Sequence, residues 1–144
     1  MYREAVRTQI ATMGIDDDDQ RVVEAVRADL LGDGTDEVLL VVERLGDTYS
    51  LAGAPGDYSV VLLRQIVDGE VTTTVVHRAV SESTPEQPSP YLLLARVAAL
   101  ADLNGDGRME IVLSTHYHEG ASTVVYEVTD DGTATEVLSV GCGV

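Results

Sequence analysis

One passage of this chain is written twice. Ala28-Asp29-Leu30-Leu31-Gly32-Asp33-Gly34-Thr35-Asp36-Glu37-Val38-Leu39-Leu40 aligns without a gap on Ala101-Asp102-Leu103-Asn104-Gly105-Asp106-Gly107-Arg108-Met109-Glu110-Ile111-Val112-Leu113, at an offset of 73 residues. A repeated acidic glycine loop followed by an apolar run implies one supersecondary unit built twice, each copy burying its apolar face against the other. Further on, 58–63 followed by Asp68-Gly69 parallels 122–126 followed by Asp131-Gly132. The organisation that follows is a single domain over 1–144. It divides into an N-terminal helix and acidic turn (1–19), repeat 1 (20–80), a linker (81–90) and repeat 2 (91–144). The linker holds Pro85, Pro88 and Pro90 and no apolar run. Repeat 1 carries the longer insert, 45–56, with Pro55 and glycines 46, 53 and 56.

Each repeat reads as the same order of elements. An apolar strand (22–27, then 93–100) enters the acidic loop, and a nearly continuous apolar strand (37–43, then 110–116) leaves it, which predicts burial on both faces. Two further strands are joined by Asp-Gly, a strong hairpin signal. They span 58–67 with 70–80, and 122–129 with 133–140. The expected fold is therefore mainly β, two antiparallel four-stranded meanders packed in one compact domain. Val6, Ile10 and Met13, with Gly14 as a stop, predict a short amphipathic helix over 2–13 that covers part of a sheet. Asp16 to Asp19 read as a solvated turn, with a weak cation site as the alternative.

The loop chemistry points to a hard cation. Calcium takes six to eight oxygens, and a short loop supplies them only by turning sharply around the ion. In the second loop Asp102, Asn104 and Asp106 stand at alternate positions, Gly107 permits the bend, the Arg108 carbonyl can face inward, and Glu110 can close the shell. An EF-hand needs its bidentate Glu at position twelve, which here is Leu113. The acid instead comes at position nine and opens a strand, so the pattern is a calcium loop set between β-strands. The first loop keeps Asp29, Asp33 and Glu37 but has Leu31 where Asn104 stands, which makes it the weaker of the two candidates. The alternative for both is an acidic glycine turn whose carboxylates are solvated or accept backbone N–H bonds.

These paired loops resemble FG-GAP/VCBS-type repeats, the blades of integrin-α-like β-propellers, over about residues 20–144. The resemblance implies blade-like meanders and calcium held by Asp102, Asn104, Asp106, the Arg108 carbonyl and Glu110. Glu110 departs from the Asp more usual at that position. Propellers close with about four or more blades, and this chain carries two. A compact two-sheet domain is expected, because half a ring exposes edges and apolar faces.

Composition narrows the partners. The formal charge is −16, and all nine basic residues are Arg. Such a field disfavours nucleic acid and anionic membranes and favours cations. The absence of Lys, Phe and Trp and the single Asn match GC-rich coding, as in actinobacteria. No apolar run is long enough to span a membrane, and no signal peptide opens the chain. A loop with few carboxylates suits millimolar calcium, which favours an exported, surface-associated location over the cytoplasm. The leading expectation is a non-enzymatic calcium-binding module, structural or presenting loops to a protein or carbohydrate surface. The alternative is a metal-dependent, hydrolase-like enzyme using zinc at His116 and His118, two apart in a strand and so on one face, with His77 in the other repeat. No nucleophile elbow or phosphate loop is present. Cys142 reads as a small buried apolar side chain, or as half of a disulfide to an outside partner.

Overall fold

A computed structural model describes residues 2–46, 54–82 and 92–143. Most of the insert (47–53) and of the linker (83–90) lies outside the described residues. The elements are α1 (Arg3–Thr12), β1 (Arg21–Ala28), β2 (Glu37–Arg44), β3 (Tyr58–Val67), β4 (Glu70–Val80), β5 (Leu94–Ala101), β6 (Glu110–Tyr117), β7 (Gly120–Val128) and β8 (Ala134–Gly143). They form two four-stranded antiparallel meanders, β1-β2-β3-β4 and β5-β6-β7-β8, as the repeat predicts. Val, Ile and Leu dominate the central strands because branched side chains pack well on a pleated, buried surface. The β3–β4 hairpin closes on Asp68 (φ 52) and Gly69 (φ 81), the left-handed pair that a two-residue turn needs to match strand twist.

The sheets meet through one apolar layer. Leu39, Val41, Val61 and Leu63 of the first sheet pack with Ala95, Ile111, Leu113, Val124 and Tyr126 of the second. The other face of the first sheet, Leu40, Val42, Tyr58, Val60 and Leu62, is covered by Val6 and Ile10 of α1. That double cover explains why β2 and β3 are apolar at nearly every position. Each of the two helix side chains is fully buried, worth about 1.5–3 kcal/mol of apolar transfer.

The two repeats do not present equivalent faces to this layer. At the 73-residue offset Leu40 corresponds to Leu113 and Leu39 to Val112. Leu39 points at the second sheet and Leu40 at the helix, whereas Leu113 points at the first sheet. The sheets therefore stack head to tail, one face of a repeat on the opposite face of the next. This differs from a sandwich of two copies related by a two-fold axis, in which like faces meet.

Polar links fix the stack. The Arg96 guanidinium forks onto Glu43, with Nη1 2.5 Å from Oε1 and Nη2 3.1 Å from Oε2. The Glu43 side chain is only 5% exposed, so the Arg96 fork and the Ser59 hydroxyl stand where solvent would otherwise be. Ser59 Oγ donates to Glu43 Oε1 (3.2 Å) and accepts from the Ala95 amide (3.1 Å). Gln65 Nε2 donates to the Thr129 carbonyl, and Thr74 Oγ1 to that of Gly132.

Two local expectations are corrected. Asp17 is not a solvated member of the acidic turn: its side chain is 5% exposed and accepts from the Tyr58 hydroxyl at 2.7 Å and the Asp19 amide at 2.9 Å. It ties the turn to the sheet, and burial with the Asp17 charge pushes the Tyr58 phenol pKa up. Cys142 is exposed rather than buried: it lies toward the end of β8, an edge strand that is exposed from Thr135 onward.

Candidate metal centre

Both acidic loops connect the first and second strands of their sheets, and they wind the same way. Asp29 Oδ1 and Oδ2 accept from the amides of Asp33 (3.0 Å) and Gly34 (2.9 Å). Asp102 Oδ1 and Oδ2 accept from Asp106 (3.1 Å) and Gly107 (2.9 Å). Asp33 Oδ1 takes the Thr35 amide at 2.7 Å, and Asp106 Oδ1 takes that of Arg108 at 2.9 Å. Glu37 Oε2 takes the Leu30 amide at 2.8 Å, and Glu110 Oε2 takes the Leu103 amide at 2.6 Å. Four bonds recur at the same offset. The first aspartate organises the turn, and left-handed glycines (Gly32 and Gly34, then Gly105 and Gly107) let the amides converge on it.

The loops differ at one position, and the difference is structural. Asn104 is exposed, accepts from the Asp106 amide at 2.9 Å and donates to Asp106 Oδ2 at 3.2 Å. Three oxygen-bearing side chains, Asp102, Asn104 and Asp106, are thus drawn together on one exposed turn. Leu31, at the equivalent place, packs against the apolar core instead. The first loop has exchanged a hydrophilic ligand position for a core anchor.

Glu110 and Glu37 are buried, at 3% and 2% exposure. Each has one carboxylate oxygen bonded to the amide of its loop's second residue, a locking role that the spacing alone did not reveal. Burial pushes the Glu37 pKa above the usual carboxylate value, against the pull of the Leu30 and Leu31 amides. Arg108 reaches away from the loop to Asp130 at 3.0 Å, leaving its backbone to the turn.

The two loops touch. The Met109 amide donates to the Leu30 carbonyl at 2.8 Å. A Cβ on Gly32 would stand 2.7 Å from the Gly107 carbonyl oxygen. The carboxylates of Asp29, Asp33, Asp102 and Asp106 are therefore carried on adjoining turns at one end of the stack.

The donor set of the second loop is hard oxygen throughout, which suits calcium and not a soft metal. Among the described residues no group of three or more His, Cys, Asp or Glu side chains is placed to hold a metal ion. A shell at this loop would draw on Asn104 and the Arg108 carbonyl as well as on Asp102, Asp106 and Glu110. His116 and His118 do not share a strand face: His116 is the next-to-last residue of β6, and His118 lies in the turn, with its Nε2 3.7 Å from Glu119. His77 faces the other sheet, opposite Val61. Among the described residues no helix is long and apolar enough to cross a membrane.

No family model, curated protein or solved structure matches this chain.

Proposed function

We propose that the protein is a non-enzymatic, calcium-stabilised repeat module of the FG-GAP/VCBS type, structural or presenting loops for recognition, and belonging to an exported bacterial protein. The observation that carries the reading is the second loop, where Asp102, Asn104 and Asp106 are held together by their own hydrogen bonds and Glu110 anchors the turn from below. The backbone amides that bind Asp102 and Asp106 hold the turn in one conformation before any cation arrives, and a cation would take the oxygen lone pairs those amides leave. Head-to-tail stacking of the sheets supports the blade comparison, since successive blades of a ring meet by unlike faces.

Calcium at this loop would neutralise part of a −16 chain at the place where two acidic turns adjoin. It would also brace the start of β6 and, through Met109 and Leu30, the first loop. The chemistry supplied is electrostatic bracing.

The test is a thermal melt with calcium and with a chelator. Binding to the folded state alone stabilises by RT ln(1 + [L]/Kd), about 2.7 kcal/mol at hundredfold excess. Asp106→Ala should remove the calcium shift and Asp33→Ala should leave most of it. An unchanged melting temperature, or an Asp106→Ala protein that responds like the parent, refutes the assignment.

A further inference from the structure

A sheet edge carries a row of backbone N–H and C=O groups pointing away from the sheet, and only another extended strand satisfies them as a row. Among the described residues the two sheets have four edges, β1, β4, β5 and β8. Three are guarded by the usual devices. β1 carries Arg21, Glu24 and Arg27 and an irregularity between Val22 and Glu24. β4 carries Glu70 and Arg78 and a bulge opposite Val61 and Leu62. β5 has Arg96, clamped by Glu43, and a bulge between Val97 and Ala99.

β8 is the exception. Its only charge is Glu136, and its one irregularity, opposite Val125 and Tyr126, skips Val137. Beyond it, Leu138-Ser139-Val140-Gly141-Cys142-Gly143 runs without charge, proline or further bulge. Among the described residues it pairs with β7 alone. Val137, Leu138 and Val140 are 47%, 58% and 62% exposed. In a chain of net charge −16, two copies repel almost everywhere except along such a segment.

We propose that β8 is a self-association edge, pairing antiparallel with β8 of a second copy about a two-fold axis. The segment is self-complementary in that register. With Val140 opposite its own counterpart, Leu138 faces Cys142 and Ser139 faces Gly141, so the large side chains share one face and the small ones the other. Two second sheets then join into one eight-stranded sheet, and Leu138 and Val140 meet apolar neighbours across the axis. The occupant is a second copy because the uncharged run matches its own sequence in length, register and side-chain size, and places no like charges opposite each other from 138 to 142.

The test is sedimentation of the intact chain over a concentration series, with amide hydrogen exchange. The mass should rise from 15.4 kDa toward twice that value. Amide exchange within 138–142 should slow as the dimer forms. Val140→Lys, which sets like charges face to face on the axis, should return the mass to that of the monomer. Val71→Lys, at a site 61% exposed on β4, should leave the dimer intact. A chain that stays monomeric up to about 0.5 mM overturns the proposal, that being weaker than any useful dimer affinity. So does a dimer that survives Val140→Lys, or one whose 138–142 amides exchange as fast as in the monomer. The exchange measurement uses the unmodified chain and stands even if the lysine variant fails to fold.

Discussion

The Met109 amide donates to the Leu30 carbonyl at 2.8 Å, so the second acidic loop is hydrogen-bonded to the first across 79 residues of chain (109 − 30 = 79). Neither loop is an independent turn. Each is part of the other's wall, and whatever stiffens one acts on the seam between the sheets.

Gly32 tests that seam. Its φ is +69, and an added Cβ would press on the Gly107 carbonyl oxygen at 2.7 Å. Gly34, at φ +88, has open space around it. Gly34→Ala should cost about 1 kcal/mol from the left-handed backbone alone. Gly32→Ala should cost about 2–3 kcal/mol, because backbone must move as well. Urea unfolding midpoints compare them directly, and equal losses would mean the loops do not bear on each other.

Arg96→Ala should be costly for an Arg at a half-exposed position. It leaves Glu43 buried at 5% exposure without its counter-charge, a loss of about 3 kcal/mol. Adding Glu43→Gln should recover part of it. A double-mutant cycle on unfolding free energy reads the coupling, which vanishes if the fork is ornamental.

Stability should fall as the solution is acidified below the ordinary imidazole value of 6.5, partly through His77. Burial holds its folded pKa below that value, against the opposing influence of the Leu93 backbone and the Glu136 charge. The unfolded chain therefore binds the proton more readily. Between the two pKa values the folded state loses at most about 1.4 kcal/mol per pH unit from this group, and above 6.5 the contribution is fully present. His77→Leu should flatten the unfolding free energy against pH between 5 and 7, measured as a difference from the parent. A parallel pair of curves would show that His77 does not titrate differently on folding.

Leu31→Asn should restore the missing ligand position in the first loop. If the proposed calcium reading holds, calorimetry should then count one more calcium per chain than for the parent. The swap also withdraws a half-buried side chain from the core, so without calcium the variant should be about 1–2 kcal/mol less stable. An unchanged stoichiometry would mean that the first loop lacks more than one ligand.

Much of the architecture was legible because its signals are local. The repeat, the Asp-Gly turns and the Val-rich runs placed all eight strands, and β3 and β4 begin and end where the pattern says. The apolar stripe of Val6 and Ile10 announced a helix with one face to bury. The formal charge of −16 is likewise fixed by composition alone. At the loops the acids and the glycines that recur at the same offset were legible as residue types.

What the residues could not settle are relations across the chain. β2 and β3 are apolar on both sides, so period-2 alternation carries no information about which face meets the second sheet and which meets α1. The head-to-tail stack, the Glu43–Arg96 fork and the Met109–Leu30 bond all join positions more than fifty residues apart. In the sequence Asp17 is one of four acids in a row, and only the fold sets Tyr58 beside it. Strand periodicity runs on through His118, and only the β6–β7 turn takes it out of the strand. Local propensity and repetition determine what each unit is. Only packing, which weighs every face against every other at once, decides how two like units become an unlike pair: among the described residues one sheet is packed on both faces, the other against its neighbour alone.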